Sequence, residues 1–366
     1  MTLQDLLTRL AELAPLDLAA EWDNVGLLLG DPAAEIERVM TCLTVTPNVV
    51  AEAIEARAAV VISHHPLFFR GVKRVTSGTT EGRMVLDLAR GGIAVYSAHT
   101  AFDNAPGGIN ELLAQRLQLA EVRPLKPRQR SECKIVVFTP DKDLAKVSDA
   151  MFAAGAGWIG QYKECSFRWA GTGTFFATES TNPTVGQKGR REEVNEWVVE
   201  VVCPAARVDD VVAAMRRAHS YEELAFDVYP LRPMPDRVGV GRLGRLSKAT
   251  SLGDFARAVK DSLGAASVQI VGEQARPVER VAIVCGAGGD LVHEVLAVKA
   301  DVFLTGEMRF HDCLAAEAQG LAVVLPGHYA TERFGMEHLA AKLQTEFPGL
   351  KVWASRNERD PMVPLG

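Results

Sequence analysis

The sequence predicts an α/β fold: one discontinuous domain made of two related α/β units around a shared cleft, carrying an inserted ferredoxin-like domain. Three observations predict it. The stretch from Ile36-Glu37-Arg38-Val39 to Val60-Val61-Ile62-Ser63-His64-His65 aligns without a gap, at a constant offset of 242, on Val278-Glu279-Arg280-Val281 to Val302-Phe303-Leu304-Thr305-Gly306-Glu307. A short pattern, histidine followed four residues later by a carboxylate, occurs at His99/Asp103 and again at His328/Glu332. Between the two matching stretches lies a segment of different rhythm, bounded by prolines. A repeat this long is an α/β unit used twice rather than a solenoid.

At 366 residues, with 48% apolar and 23% charged side chains, the chain has room for two soluble domains and the composition of a globular protein. Leu3, Leu6, Leu7, Leu10 and Leu13 recur at three- and four-residue steps, which predicts an opening helix with one apolar face. A turn and then strand, helix, strand, helix and strand follow as far as about Leu125. Arg123-Pro124-Leu125-Lys126-Pro127-Arg128 then breaks the pattern and marks a boundary.

The next elements are a strand at Lys134 to Phe138, a helix at about Leu144 to Ala154 and a strand at about Phe167 to Ala177. A polar loop, a strand at Trp197 to Val202, a helix at Val208 to Ala218 and a strand at Ala225 to Tyr229 complete the segment. That order, βαββαβ, is the ferredoxin-like motif. Pro230-Leu231-Arg232-Pro233-Met234-Pro235 closes it. The expected domains are therefore residues 1–127 with 237–366, and an insert over 128–236.

A net charge of −6 provides no global attraction to nucleic acid or to an acidic membrane. The opening residues lack the basic start and unbroken apolar core of a signal peptide, and no apolar run approaches the ~20 residues that span a bilayer. Six cysteines are scattered with no C-x-x-C pair, which fits a reducing cytoplasm and argues against a thiolate zinc knot. Gly239-Val240-Gly241-Arg242-Leu243-Gly244 matches a dinucleotide fingerprint by letter only, because no suitable helix and ribose-binding acid follow. Cys285-Gly286-Ala287-Gly288-Gly289-Asp290 reads as a strand-to-helix turn with free amides that suit an anion.

The chemistry concentrates at strand ends. Ser63-His64-His65-Pro66 sets two adjacent imidazoles where a proline stops an apolar run, and His99/Asp103 and His328/Glu332 each follow another apolar run. These hold four of the chain's eight histidines. Neutral imidazoles with carboxylates suit borderline divalent ions such as Zn, Fe, Mn or Co. Two carboxylates can also bridge a pair of ions, which polarise a substrate and lower the pKa of water, so hydrolysis is the natural reaction class. Glu307 occupies the repeat position of His65, and His311 follows it closely; either is a candidate general base or substrate contact. His219, His293 and His338 belong to no such group.

On these residues the chain resembles the Nif-three-like dinuclear metal-centre proteins, often labelled GTP cyclohydrolase type-two homologues. The resemblance spans both outer segments: Trp22-Asp23-Asn24-Val25-Gly26-Leu27, Ser63-His64-His65-Pro66-Leu67, His99-Thr100 with Asp103, Gly107-Gly108-Ile109-Asn110, Thr305-Gly306-Glu307 with His311, and Gly327-His328 with Glu332. It implies two divalent ions, Zn, Fe or Mn, held by His64, His65, Asp103, His328 and Glu332, with His99 beside them and His99, Glu307 and His311 as the catalytic candidates. It implies a cytoplasmic homohexamer acting on a small molecule, possibly a nucleotide: hydroxide formed at the centre would open the purine imidazole ring of GTP and release formate. The insert resembles a PII/CutA-like module, most clearly at His219-Ser220-Tyr221-Glu222-Glu223 and Tyr229-Pro230-Leu231. The competing expectations are a phosphoester hydrolase using the same centre, and a non-catalytic metal-binding ring or regulatory adaptor.

Overall fold

The leucine stripe folds as an amphipathic helix, α1 (Leu3–Leu13). Thr2 Oγ1 accepts from the Asp5 amide, and the Asp5 carboxylate accepts from the Thr2 amide, so two of the first-turn donors are satisfied. Leu3, Leu6 and Leu10 are fully buried in one core with Ile36, Val39, Val60 and Ile62. Each such side chain contributes about 1.5–3 kcal/mol by leaving water. The computed structural model describes residues 1–365, which divide into two compact units: Met1–Arg128 with the chain from Arg237 onward, and Gln129–Asp236.

The first unit continues through β1 (Gly26–Leu29), β2 (Arg38–Cys42), α2 (Pro47–Glu55), β3 (Val60–Ser63), α3 (Thr80–Arg90), β4 (Ala94–Ser97), α4 (His99–Asn104), α5 (Ile109–Arg116), β5 (Ala120–Arg123) and β6 (Lys126–Arg130). The second unit holds β7 (Glu132–Thr139), α6 (Leu144–Ala153), β8 (Phe167–Phe176), β9 (Arg191–Pro204), α7 (Val208–Ala218) and β10 (Phe226–Pro230). Its sheet is antiparallel in the order β10-β7-β9-β8, and α6 and α7 bury Val147, Met151, Val211 and Met215 on Ile135, Val137, Val199 and Val201. Strand β9 starts six residues before the predicted Trp197. Its polar first half pairs with β8 all the way to Phe176↔Arg191, so backbone pairing, not apolar patterning, extends it.

The chain then forms β11 (Met234–Val240), β12 (Arg242–Ser251), α8 (Leu252–Leu263), β13 (Gln269–Val271), β14 (Pro277–Ala287), α9 (Val292–Ala297), β15 (Val302–Glu307), α10 (Phe310–Ala318), β16 (Ala322–Leu325), α11 (His328–Glu346) and β17 (Lys351–Ala354). The first unit thus contains a five-stranded sheet, β1-β4-β3-β2-β17, and a six-stranded sheet, β13-β16-β15-β14-β12-β5. The sequence repeat is a repeat of register. Strands β2 and β3 pair in parallel with Val39 opposite Val60, and β14 and β15 pair in parallel with Val281 opposite Val302. Helix α11 packs on β2 from one sheet and on β14 and β15 from the other. Phe334 on that helix borders the cores of both sheets. The C-terminal ends of β3, β4 and β15 and the start of α11 therefore meet.

The Gly239–Gly244 stretch lies in β11 and β12, without the strand-to-helix turn a dinucleotide site needs. Its Arg242 is buried and donates to the carbonyls of Gly239, Gly241 and Ala105. Among the described residues no helix is long and apolar enough to cross a membrane.

Candidate metal centre

The first pair of imidazoles sits where β3 leaves the sheet. His64 N and His65 N still donate to the carbonyls of Cys42 and Leu43, at 2.9 and 2.8 Å, so the backbone is held in place through both residues. The His64 carbonyl accepts from Ser97 Oγ at 2.6 Å, tying it to the end of β4. The His65 ring is fixed by Thr44 Oγ1, 2.7 Å from Nδ1, which leaves Nε2 free to face inward.

His99 opens α4 with a backbone φ of 30°, in the left-handed region that non-glycine residues rarely adopt. Strain of this kind costs about 1–3 kcal/mol and persists only where surrounding contacts enforce it. Here they do. His99 Nδ1 lies 2.8 Å from Asp23 Oδ1, while the Thr100 amide and hydroxyl both donate to the other Asp23 oxygen. Asp23 comes from the loop before β1, so that loop fixes the ring against His64 and His65, at centroid separations of 5.2 and 5.5 Å.

His328 and Glu332 stand one turn apart on the first residues of α11. Gly327 precedes them with φ 105°, a conformation that suits glycine and lets the helix begin at His328. Gly286, at the irregular end of β14, has φ 65°, and a Cβ there would collide with Glu332 Oε1 and lie 3.2 Å from His328 Nε2. The glycine turn anticipated as an anion cradle is therefore packed against this cluster. Its amides are partly spoken for: Gly286 N donates to Thr331 Oγ1 and Gly288 N to Thr305 Oγ1, each at 3.0 Å.

These elements bring seven side chains together. Glu332 Oε2 lies 3.1 Å from His65 Nε2 and 3.0 Å from His328 Nε2, and the two nitrogens are 3.3 Å apart. The other oxygen, Oε1, lies 3.8 Å from His64 Nε2, which is 3.5 Å from Asp103 Oδ1. Three groups have donor atoms mutually within 4.8 Å: His64/His65/His99, His65/His328/Glu332 and His64/Asp103/Glu332. Glu307 stands behind His328, its Oε1 3.0 Å from Nδ1. His311 is exposed on α10, because Met308 and Arg309 separate the end of β15 from the helix; its ring contacts Phe310 and it joins none of these groups.

Cys285, Asn110, Thr44 and Asp23 complete the surroundings and carried no role in the sequence reading. Cys285 Sγ lies 3.1 Å from Asp103 Oδ1, and Asn110 bridges the Cys285 amide and the Asp103 carbonyl. Asn110 and Asp23 stood within the motifs that carry the resemblance, and Cys285 at the head of the glycine-rich turn. Nothing in the spacing of Cys285 or Thr44 separates them from a core residue and a turn.

Electrostatics follow from burial. His64 is fully buried, which drives its imidazolium pKa down to about 3, and both its ring nitrogens lack a hydrogen-bond partner. Burial and the nearby Glu332 charge raise the Asp103 carboxyl to about 7. Burial would raise Glu332 too, but donation from His328 and His65 and the favourable electrostatics of the surrounding imidazoles outweigh it and hold Glu332 below the ordinary range. His328 moves the other way. Burial opposes its charge, yet Glu332 and Glu307 lift it to about 9. Asp23 likewise overcomes the burial of His99 and raises it.

This donor set fits a divalent cation on observations of its own. A buried imidazole with two unpartnered nitrogens is costly unless something binds it. The 3.0, 3.1 and 3.3 Å edges of the Glu332/His65/His328 triangle also match donors on one ion with bonds of ~2.0–2.1 Å.

The fold and cluster define an α/β protein with a histidine–carboxylate centre between two repeated units, and sequence comparison places it more narrowly. The profile of the Duf34/NIF3 (NGG1p interacting factor 3) family matches residues 1–361, and the chain belongs to that family. A Bacillus subtilis (strain 168) protein described as "GTP cyclohydrolase 1 type 2 homolog" is 36% identical over 366 residues, covering 98% of each chain. A Mycobacterium tuberculosis protein of the same description is 37% identical over 338 residues, covering 90% of this chain and 88% of the relative. Among solved structures, a Bacillus cereus protein related to NIF3 aligns with TM-score 0.79 at 35% identity, covering 100% of this chain and 99% of the other. A Staphylococcus aureus protein aligns with TM-score 0.83 at 29% identity and the same coverage.

Proposed function

We propose that the protein is a dinuclear metal-dependent hydrolase in which His64, His65, Asp103, His328 and Glu332 hold two divalent ions, Zn, Fe or Mn. The observation that carries this is Glu332, which directs one oxygen toward His64 and the other toward His65 and His328. A carboxylate so placed would offer one oxygen to each of two ions. Bound ions would act as Lewis acids and lower the pKa of a coordinated water toward ~7.

The chain's own residues set the conditions for that chemistry. Glu307 on His328 and Thr44 on His65 occupy each Nδ1, orienting both rings with Nε2 toward Glu332, where they would hold an ion. His99, whose protonated form Asp23 favours, is the group beside the cluster placed to deliver a proton to a leaving atom. Access is open on one side, where the His328 side chain is 30% exposed and that of His65 17%, as an enzyme rather than a closed scaffold requires.

The substrate in this reading is a purine nucleotide, as the relatives' descriptions suggest, with hydrolytic opening of the imidazole ring and release of formate. Two exposed aromatic rings support a planar substrate. Trp22, 66% exposed, and Phe69, 54% exposed, stand edge-on to His99 at 5.9 and 5.7 Å. Such rings offer faces on which a base can stack. The remainder of the proposal is a cytoplasmic homohexamer whose second unit is a ferredoxin-like, PII/CutA-like insert; its sheet order, β10-β7-β9-β8, supports the ferredoxin-like part.

Activity decides it. Metal-loaded protein is incubated with GTP and with a panel of phosphoesters, and formate and phosphate are measured against His328→Ala. Formate release that needs both metal and His328 supports the proposal. Phosphate release alone makes the protein a phosphoesterase, and no turnover above the variant leaves a metal-binding adaptor.

A further inference from the structure

The second unit carries a half-open cavity of about 620 Å³ for which the metal chemistry has no use, within the size range of small-molecule sites. Its walls are the end of β7 at Phe138, the Gly173–Ala177 end of β8, Glu196 on β9 and the turn Tyr221–Glu223, and Thr181 and Pro183–Val185 form its roof. Phe138, Phe175 and Phe176 give it apolar faces, while Glu196, Glu222 and Glu223 give it negative charge; no Lys, Arg or His lines it.

We propose that this cavity binds an organic cation with an apolar body, a protonated amine or amidinium on a ring or short chain. Nucleotides are excluded by the same lining, since a phosphate would meet three carboxylates and no cation.

The details are those of a built site. Glu196 reaches across β8 because Gly173 has no side chain; a Cβ there would collide with the Glu196 carboxylate. Among the described residues Glu196 forms no ion pair, so its charge is available. Tyr221 is positioned by the residues around it. Its amide donates to His219 Nδ1 at 3.0 Å, leaving His219 Nε2 to donate to the Phe138 carbonyl at 3.0 Å, and the two rings meet edge-to-face at 4.8 Å. The phenol oxygen so held is buried without a hydrogen-bond partner. Burial and the neighbouring Glu196 push it above its ordinary range, as expected for a hydroxyl beside a carboxylate. An N–H cation would donate to both oxygens and relieve the unsatisfied group. The roof is tied to the same turn, Asn182 N donating to Glu222 at 2.8 Å and Thr184 Oγ1 to the Ser220 carbonyl at 2.9 Å.

The test uses the full-length protein and benzamidine, its neutral isostere benzamide, the anion benzoate and ATP, with binding read by calorimetry and ligand-observed NMR. Benzamidine should bind, with benzamide at least about tenfold weaker and benzoate and ATP silent, because one charge-assisted hydrogen bond carries that much. Glu196→Gln should weaken benzamidine about tenfold or more and leave benzamide unchanged, and Tyr221→Phe should weaken benzamidine less. Melting curves check that both variants are folded. Equal binding of benzamidine and benzamide, binding of ATP lost in Glu196→Gln, absence of benzamidine binding at millimolar concentration, or benzamidine binding indifferent to both substitutions would overturn the proposal.

Discussion

His65 and His328, from opposite ends of the chain, face each other Nε2 to Nε2 at 3.3 Å. Both approach one Glu332 oxygen, and each is braced from behind, by Thr44 and Glu307. Loss of a brace should loosen the site without unfolding it. Glu307→Ala is expected to weaken zinc binding about 10–100-fold, measured by competition with a chromophoric chelator, with the melting temperature of the metal-free protein little changed.

Protonation gives stability and metal affinity opposite slopes with pH. In the metal-free protein His328 is raised to about 9, so its contribution to stability is fully present below the ~6.5 of free imidazole and is lost as pH rises through about 9. Metal needs the neutral ring. Affinity should therefore rise across the same window, by up to tenfold per pH unit for each proton displaced. Calorimetry in buffers of different ionisation enthalpy should detect proton release on zinc binding at pH 7.5; its absence would contradict the assigned charge of His328.

Gly286→Ala places a methyl group against Glu332 at a left-handed residue near the end of β14. A loss of about 1–3 kcal/mol in stability and a marked fall in metal content are expected, read by denaturant titration and elemental analysis.

Trp22 is exposed and makes its ring contact with His99. Trp22→Ala should therefore raise KM about tenfold or more while leaving metal content and melting temperature near those of the parent, since base stacking is worth about 1–3 kcal/mol.

Away from the site, buried Glu52 on α2 gathers the C-terminal segment, accepting from Ser355 Oγ and from the amides of Arg356 and Asn357. Burial opposes its charge, but these donors outweigh it and lower its pKa, so its contribution is present above the ordinary ~4.3 and fades as pH falls. Glu52→Ala strands those donors and should cost about 3 kcal/mol at pH 7, with a smaller difference from wild type in acid.

Much of this architecture was legible because the two halves repeat their residues. Strand registers must match where Val39/Val60 and Val281/Val302 occupy equivalent positions, and His64, His65, His99 and His328 fall at the ends of apolar runs that could only be buried strands. Direction was not legible. That Glu332 splits its oxygens between His64 and His65, or that Cys285 reaches Asp103, depends on how α11 and the end of β14 pack, and no one-dimensional spacing encodes it. Asp23 stood in a recognised motif, yet its hold on His99 became visible only with the left-handed backbone at that residue. His311 follows Glu307 closely in sequence, yet the two residues between β15 and α10 place it on the exposed start of α10, apart from the groups around His328.

The central claim is that two ions share Glu332, and metal stoichiometry tests it most directly. Elemental analysis of protein loaded with zinc, iron or manganese and freed of excess should give about two ions per chain for the wild type and no more than about one for Glu332→Gln. One ion or none in the wild type, or two retained in the variant, would contradict it.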